Sequence, residues 1–141
     1  MSTQTLFGID FGTKKIGIAV GQTLTRTAMG IAVLPVRNLE PEWNELDVLV
    51  ARWKPDAFVI GMPYNMDGTA SPMSGHAKKF AAQLGARYAK PCHPVDERLS
   101  TREARDISRH NAELLGKRPN DRTKVDAMVA QLLLESWLAD Y

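Results

Sequence analysis

The sequence predicts a mixed α/β fold in which one five-stranded sheet carries helices on both of its faces. Three observations lead to this prediction. The chain begins with three short apolar segments joined by short connections, which is typical of antiparallel strands. After Pro41, apolar residues recur at spacings of three and four, as on the buried side of a helix. These helical segments alternate with short apolar runs, which favours parallel strands in the second half of the sheet.

The three N-terminal strands are marked by apolar runs that end at turn residues. The first is predicted over Leu6–Phe11, ends at Gly12, and leads through a tight connection to the second over Lys15–Val20. The third covers Met29–Val36, which is rich in isoleucine and valine and stops around Pro35. These strands should form an antiparallel meander.

The remainder of the chain is predicted to alternate between helices and strands. The elements are, in order, a helix over Trp43–Trp53, a strand over Asp56–Ile60, a helix over Met73–Tyr88, a strand over Pro91–Val95, a helix that begins at Ser100 or Thr101, and an apolar helix over Thr123–Leu138. The segment Met62–Pro72 is a loop, because it is dense in turn residues. No repeat or linker divides the sequence, so we expect a single domain over residues 1–141.

Size and composition limit the class of protein. The chain has 141 residues, of which 44% are hydrophobic and 24% charged, and this balance is typical of a globular domain with its own core. Cys92 is the only cysteine, which excludes an intrachain disulfide and suits a reducing compartment. The sequence shows neither a signal peptide nor a run of about 20 apolar residues. We therefore expect a cytoplasmic protein with no membrane partner.

Positive charge is concentrated in one segment. The whole chain has a net charge of only +2, but residues 98–124 carry a net charge of +4 and the remainder a net charge of −2. A local basic surface is what a polyanion requires, because contacts to phosphates release counterions. The alternative is an ordinary solvated surface of a helix and a loop.

Three carboxylates occur at positions where an acid is costly. Asp10 lies inside the apolar strand Leu6–Phe11, Asp126 lies in a helix that is otherwise nearly all apolar, and Glu97 closes the strand Pro91–Val95. Burial of a carboxylate costs several kcal/mol unless the group is paired or binds a metal ion. Each acid could also form a salt bridge or cap a helix, since spacing along the chain does not show that the three converge.

A cluster of carboxylates suits the metal-assisted hydrolysis of phosphodiester bonds. Mg²⁺ prefers oxygen ligands and retains water molecules that can act as the nucleophile. Two such ions about 3.5–4 Å apart can stabilise the attacking and the leaving oxygen together. Asp10, Glu97 and Asp126 are therefore the candidate catalytic residues and the candidate ligands of Mg²⁺ or Mn²⁺.

Four motifs, in matching order and over nearly the whole chain, closely resemble those of the YqgF (RuvX) family. They are Asp10–Val20 (DFGTKKIGIAV), Gly61–Thr69 (GMPYNMDGT), Asp96–Thr101 (DERLST) and Lys124–Asp126 (KVD). The family is described as a Holliday junction resolvase and as the nuclease that trims the 5′ end of the small-subunit ribosomal RNA precursor. The resemblance implies a ribonuclease H-like fold, with Asp10, Glu97 and Asp126 as the catalytic, metal-binding acids.

One departure from related junction resolvases concerns the last motif. Those enzymes typically carry a fourth carboxylate one helical turn from the last acid, where this chain has Val129 and Ala130. The difference counts against a DNA junction as the substrate, and it leaves open how many metal ions bind.

Arginines next to the second acid are candidates for substrate binding. Arg98, Arg102, Arg105 and Arg109 recur at spacings of four, three and four, and would form one stripe along a helix that starts beside Glu97. Such a stripe could guide a phosphate backbone into the site through bidentate contacts. Alternatively, it pairs with the acids of the same helix as a solvated surface.

Two further residues are candidate substrate contacts. Lys14 occurs in the turn after the Asp10 strand, where it could reach a phosphate near the metal ions. Asn65 is suggested by the resemblance, since it lies in the second of the four motifs. An ordinary surface turn is the alternative for both residues.

The leading hypothesis is a metal-dependent nuclease that acts on structured RNA, with ribosomal RNA precursor as the favoured substrate and ribosomal precursor particles as possible partners. Cleavage of branched DNA junctions is the nearest alternative, for which a homodimer is expected rather than a monomer. A catalytically silent nucleic-acid-binding factor is an alternative of another class. A phosphotransferase is less favoured, because the sugar-kinase phosphate loop that Asp10–Thr13 resembles works between two domains and this chain supplies one.

Overall fold

The computed structural model describes residues 3–62, 71–96 and 122–139, without the side chains of residue 96 and of residues 122–126. The strands in these ranges are β1 (Thr5–Phe11), β2 (Lys15–Gln22), β3 (Thr27–Arg37), β4 (Glu40–Pro41), β5 (Ala57–Met62) and β6 (Cys92–Asp96). The helices are α1 (Trp43–Trp53), α2 (Pro72–Tyr88) and α3 (Arg122–Ala139). None of these described helices is long and apolar enough to span a membrane. The helix predicted to begin at Ser100 or Thr101 lies outside the described residues.

The strands form one mixed sheet in the order β4-β3-β2-β1-β5-β6. The pairs β1–β2, β2–β3 and β3–β4 are antiparallel, whereas β1–β5 and β5–β6 are parallel. Both the N-terminal meander and the mixed pairing are thereby confirmed. β1, β3, β5 and β6 therefore run in the same direction. The edge at which these four strands end is hereafter called the carboxyl end of the sheet.

The prediction of five strands was wrong, because a short sixth strand follows β3. A two-residue turn at Asn38 and Leu39, both with positive φ (53° and 63°), returns the chain so that β4 pairs with the last residues of β3. Positive φ at two successive residues is the geometry of a type I′ hairpin turn, which usually uses asparagine or glycine. A leucine at the second position gives no sequence signal for that turn, so the sequence predicts no strand between Val36 and the helix that follows.

The two faces of the sheet have separate cores, as the prediction of helices on both faces requires. On one face, Phe7, Ile9 and Phe11 of β1 belong to a core that includes Leu46 of α1 and Phe80 of α2. These side chains are at most 3% exposed. Alternate residues of a strand point to opposite faces, so Leu6, Gly8 and Asp10 are directed to the other side.

The second core lies between the sheet and α3. Leu6 and Val59 pack with Ala130, Leu134 and Leu138 of this helix, and all five side chains are fully buried. The helix was predicted to be strongly apolar, and the structure gives the reason, because it lies against the middle of the sheet.

An ion pair joins α1 to α2 on the face of the sheet that these two helices cover. The Arg87 guanidinium donates to both carboxylate oxygens of Asp47, at 2.8 Å from Nε and 2.5 Å from Nη2, and lies 4.9 Å from the ring centroid of Trp43. The Tyr88 hydroxyl donates to Asp47 at 2.6 Å. These hydrogen bonds lower the pKa of Asp47 from 3.8 to about 2. Burial and the neighbouring Asp47 carboxylate raise the pKa of Tyr88.

We expect the contribution of this cluster to stability to depend on pH. Because the carboxyl pKa is lower in the folded chain than in the unfolded chain, the stabilisation is complete above about pH 4 and is lost as the pH falls toward 2. Thermal unfolding of wild type and Asp47→Asn from pH 7 to pH 2 measures it. The wild type should have the higher Tm at neutral pH, and the difference should shrink below pH 4. A difference that stays constant to pH 2 would contradict this assignment.

Candidate active site

Asp10 lies near the end of β1, in the middle of the sheet. β1 is flanked by β2 and β5, and Asp10 is paired with Gly17 of β2. The sequence predicted an acid in a costly apolar setting. The flanking strands confirm the apolar neighbours, but the side chain is half-buried rather than fully buried, because it lies at the carboxyl end of the sheet. A half-buried carboxylate on a rigid strand is held in position and still accessible to a ligand.

The helix α3 approaches the sheet closely at Gly8, two residues before Asp10. A Cβ atom at this position would lie 2.7 Å from Leu134 Cβ and 2.8 Å from the Ala130 backbone oxygen. No side chain fits into that space, so glycine allows the helix to lie directly on β1. Sequence reasoning did not single out Gly8, although a glycine within an otherwise apolar strand is a recognised signal for close backbone approach.

The contacts of α3 define its direction relative to β1. Leu138 is close to Gly21, which is paired with the first half of β1 at Leu6, whereas Ala130 and Leu134 are close to Gly8. From Leu138 to Ala130 the helix therefore progresses toward the carboxyl end of the sheet. At Ala127 it lies against Gly30 of β3, where an added Cβ atom would be 2.9 Å from Ala127 Cβ. Asp126 is one turn before Ala130, just as Asp10 is two residues after Gly8 on the same face. The Asp126 side chain lies outside the described part of the helix, and its approach to Asp10 stays a prediction.

The parallel strands β5 and β6 end beside β1. Ile9 is paired with Ile60, and the next residue of β5, Gly61, is paired with Val95 of β6. Neighbouring strands are about 4.8 Å apart, so the backbones of β1 and β6 are separated by about 10 Å here. Glu97 directly follows the last residue of β6 in the sequence, but it lies outside the described residues.

Lys14 occupies the short connection between β1 and β2 at the same end of the sheet. Its backbone oxygen accepts a hydrogen bond from Val36 N at 2.8 Å, which ties the connection to β3. Its side chain is exposed, as the predicted phosphate contact requires. The other predicted substrate contacts, Asn65, Arg98, Arg102 and Arg105, lie outside the described residues.

The described residues hold no group of three or more potential metal ligands. Asp10 is the single member of the predicted triad whose side chain is described, so the structure does not test the convergence of the three acids. Cys92 contributes no reactive group here, because its thiol is half-buried, donates to the Ala81 oxygen at 3.4 Å, and has a pKa raised by burial. The ring of His93 stacks on Trp137 at 5.1 Å.

Comparison with protein families and with curated proteins gives consistent results. A family model described as RuvX, Holliday junction resolvase, matches residues 4–140. An Azotobacter vinelandii protein named "Putative pre-16S rRNA nuclease" is 47% identical over 135 residues, which cover 96% of this chain and 93% of that protein. A Pseudomonas fluorescens protein of the same name is 44% identical over 138 residues, covering 98% and 94% of the two chains.

Solved structures with the same fold include a viral resolvase and a bacterial RuvC. The fowlpox virus resolvase, in complex with Holliday junction DNA, has a TM-score of 0.60 at 13% identity and covers 96% of this chain and 97% of its own. The Thermus thermophilus RuvC in complex with a Holliday junction has a TM-score of 0.55 at 16% identity, with 97% and 95% coverage. At these identities the similarity concerns the fold, and it confirms the predicted ribonuclease H-like class.

Proposed function

Because this chain belongs to the RuvX family, we propose that it is a metal-dependent nuclease that processes the 5′ end of the 16S ribosomal RNA precursor. The observation that carries the proposal is the similarity over nearly the full length to relatives named as nucleases of this precursor. The position of Asp10 supports it, since a half-buried carboxylate at the carboxyl end of the sheet occupies the place where α/β proteins bind ligands.

Mg²⁺ or Mn²⁺ is the proposed cofactor, and the available donors fit it. Asp10, Glu97 and Asp126 supply carboxylate oxygens, which these hard cations prefer to nitrogen or sulfur. When bound, the metal would polarise the scissile phosphate and lower the pKa of a water molecule. The three carboxylates are the proposed catalytic residues, and Asp10 is held rigidly by two flanking strands.

The surrounding residues are proposed to bind and orient the RNA. The exposed Lys14 side chain would neutralise a phosphate close to Asp10, because both residues lie at the carboxyl end of the sheet. Arg98, Arg102 and Arg105 would hold the backbone on one side of the site through bidentate contacts. Asn65 would contact the substrate from the loop that follows β5.

Cleavage of a four-way DNA junction is the second candidate, and the family description favours it. One observation counts against it. Val129 and Ala130, the helix positions at which related resolvases carry a fourth carboxylate, are both 0% exposed and belong to the apolar cores beneath α3. Neither side chain carries an oxygen, so these positions supply no ligand to a metal ion in this chain.

The cellular setting follows from the same proposal. Ribosomal precursor particles would present the RNA substrate, and a cytoplasmic location fits a chain with a single cysteine. RNA processing requires no two-fold symmetric enzyme, whereas simultaneous cuts on two strands of a junction favour a homodimer. The mass of the purified chain in solution therefore helps to separate the two nuclease functions.

A parallel cleavage assay tests the proposal. Purified wild type is incubated with precursor 16S rRNA and with a four-way DNA junction, each with Mg²⁺, with Mn²⁺, and with EDTA. We expect metal-dependent shortening of the RNA precursor and no cleavage in EDTA. Cleavage of the junction alone would assign the chain as a resolvase. Binding of both substrates without any cleavage would leave only a catalytically silent binding factor.

A further inference from the structure

A polar groove lies at the carboxyl end of the sheet, on the face opposite to α3. It is formed between the β3–β4 hairpin turn and one side of α2, and has a volume of about 310 Å³. Its lining residues are Asn38, Leu39, Glu40, His76, Lys79, Phe80 and Gln83. This volume falls in the lower range of small-ligand sites, which suits one nucleotide rather than a larger molecule.

The groove packs against the strand that carries Asp10. Phe80, at the base of the groove, is 1% exposed and stacks on Phe11 with the ring centroids 4.9 Å apart. Phe11 is the residue after Asp10 in β1. The turn that holds Lys14 is bonded to Val36, near the end of β3, from which the hairpin leads to the groove. The groove therefore lies at the same end of the sheet as Asp10, on the opposite face, and Phe11 of β1 packs against its base.

Lys79 is the residue of the groove that can bind a phosphate. Lys79 forms no ion pair with any residue in the described part of the chain, and its side chain is exposed. Lysine is a common phosphate ligand because its three N–H donors can turn toward the oxygens. Asn38 and Gln83 add amide groups, which can donate to and accept from a base edge or a ribose hydroxyl. Glu40 is the opposing charge, and it would weaken the binding of any anion.

We propose that this groove is a nucleotide subsite, in which Lys79 holds a backbone phosphate of single-stranded RNA beside the cleavage site. The proposal rests on the proposed nuclease function. Asn38 and Gln83 contact the ribose or the base of the same nucleotide, and His76 lines the phosphate side of the groove together with Lys79. The strand would thus continue from Asp10 across the carboxyl end of the sheet to the face that carries α2.

Binding measurements on a variant that does not cleave separate this subsite from catalysis. Fluorescence anisotropy with a labelled RNA of about twelve nucleotides is recorded in the Asp10→Asn background over a range of salt concentrations. Lys79→Gln should weaken binding by about tenfold and reduce the slope of log K against log salt by about 0.7. Lys78→Gln is the matched control, because the neighbouring lysine is equally exposed and does not line the groove.

Replacement of the acidic residue of the groove provides a second test, in which RNA affinity should increase rather than decrease. Glu40→Gln should strengthen RNA binding by a few fold, whereas Glu45→Gln, an exposed acid outside the groove, should have little effect. Equal weakening by Lys78→Gln and Lys79→Gln, or no weakening by Lys79→Gln, would overturn the subsite. If the wild-type chain binds RNA through Lys79 but cleaves no substrate, the nuclease function is refuted and the subsite is retained.

Discussion

Asp10→Asn should lower the rate of RNA cleavage by at least about a thousandfold, while RNA binding persists. The substitution keeps the size of the side chain and removes the charge that a divalent metal requires. Charge stabilisation by bound metal contributes several kcal/mol to such reactions, and each 1.36 kcal/mol changes the rate tenfold. The fold should be retained, because the side chain is half-buried and asparagine has a similar shape. Single-turnover cleavage of the precursor with Mg²⁺ measures the effect.

A second readout separates loss of metal binding from loss of structure. A metal that binds only the folded chain raises its Tm, so wild type should be stabilised by millimolar Mn²⁺ and Asp10→Asn should not be. Asp56→Asn is a suitable control, because Asp56 accepts a hydrogen bond from Thr5 N at 2.8 Å at the opposite end of the sheet. An Asp10→Asn variant that retains both the cleavage rate and the Tm increase would remove this residue from the site.

Gly8→Ala should destabilise the chain strongly and should also impair cleavage. The added methyl group would meet the Ala130 oxygen at 2.8 Å and Leu134 Cβ at 2.7 Å, so the backbone of α3 must move away from β1. Overpacking of this kind typically costs 1–3 kcal/mol, and about 3 kcal/mol is expected where backbone must shift. The corresponding decrease in Tm is about 10 °C. Displacement of α3 would also move Asp126 relative to Asp10, and small misplacements of catalytic groups can cost about a hundredfold in rate.

Gly75→Ala is the matched control for this substitution. Gly75 lies in α2, and a Cβ atom there would have no neighbour within 4 Å. Alanine should therefore stabilise the helix by up to about 1 kcal/mol and leave cleavage unchanged. Thermal unfolding and cleavage assays below the Tm of both variants test the pair. Equal stability of Gly8→Ala and wild type would show that α3 does not rest on β1 as described.

The sequence was a reliable guide wherever local pattern decides structure. The strand at Leu6–Phe11 and the helix at Trp43–Trp53 carry apolar residues at the period of the element they form, and the structure contains both. The order of strands and helices limited the sheet to a mixed topology, which the pairing confirmed. Asp10 could be identified because an acid inside an apolar strand requires a compensating partner.

Other features depend on contacts between residues that are far apart in the chain. The fit of Gly8 against Ala130 joins residues separated by more than a hundred positions, and no local pattern encodes their distance. The pairing of β4 with β3 depends on a positive φ at Leu39, which leucine rarely adopts, and the prediction of five strands failed there. The groove beside Lys79 forms where α2, whose Phe80 stacks on Phe11, faces the β3–β4 hairpin turn.

The sequence by itself thus determined most of the elements, their order along the chain and the mixed character of the sheet, because periodicity is a property of the chain. Misplaced charge, likewise a property of the chain, named the candidate catalytic acids. The tertiary structure decided where those elements touch. It placed Asp10 at the carboxyl end of the sheet, packed α3 against Gly8 of β1, and stacked Phe80, the residue after Lys79, on Phe11. These placements follow from the packing of side chains between layers. Such packing depends on the shapes and volumes of residues that are far apart in the sequence.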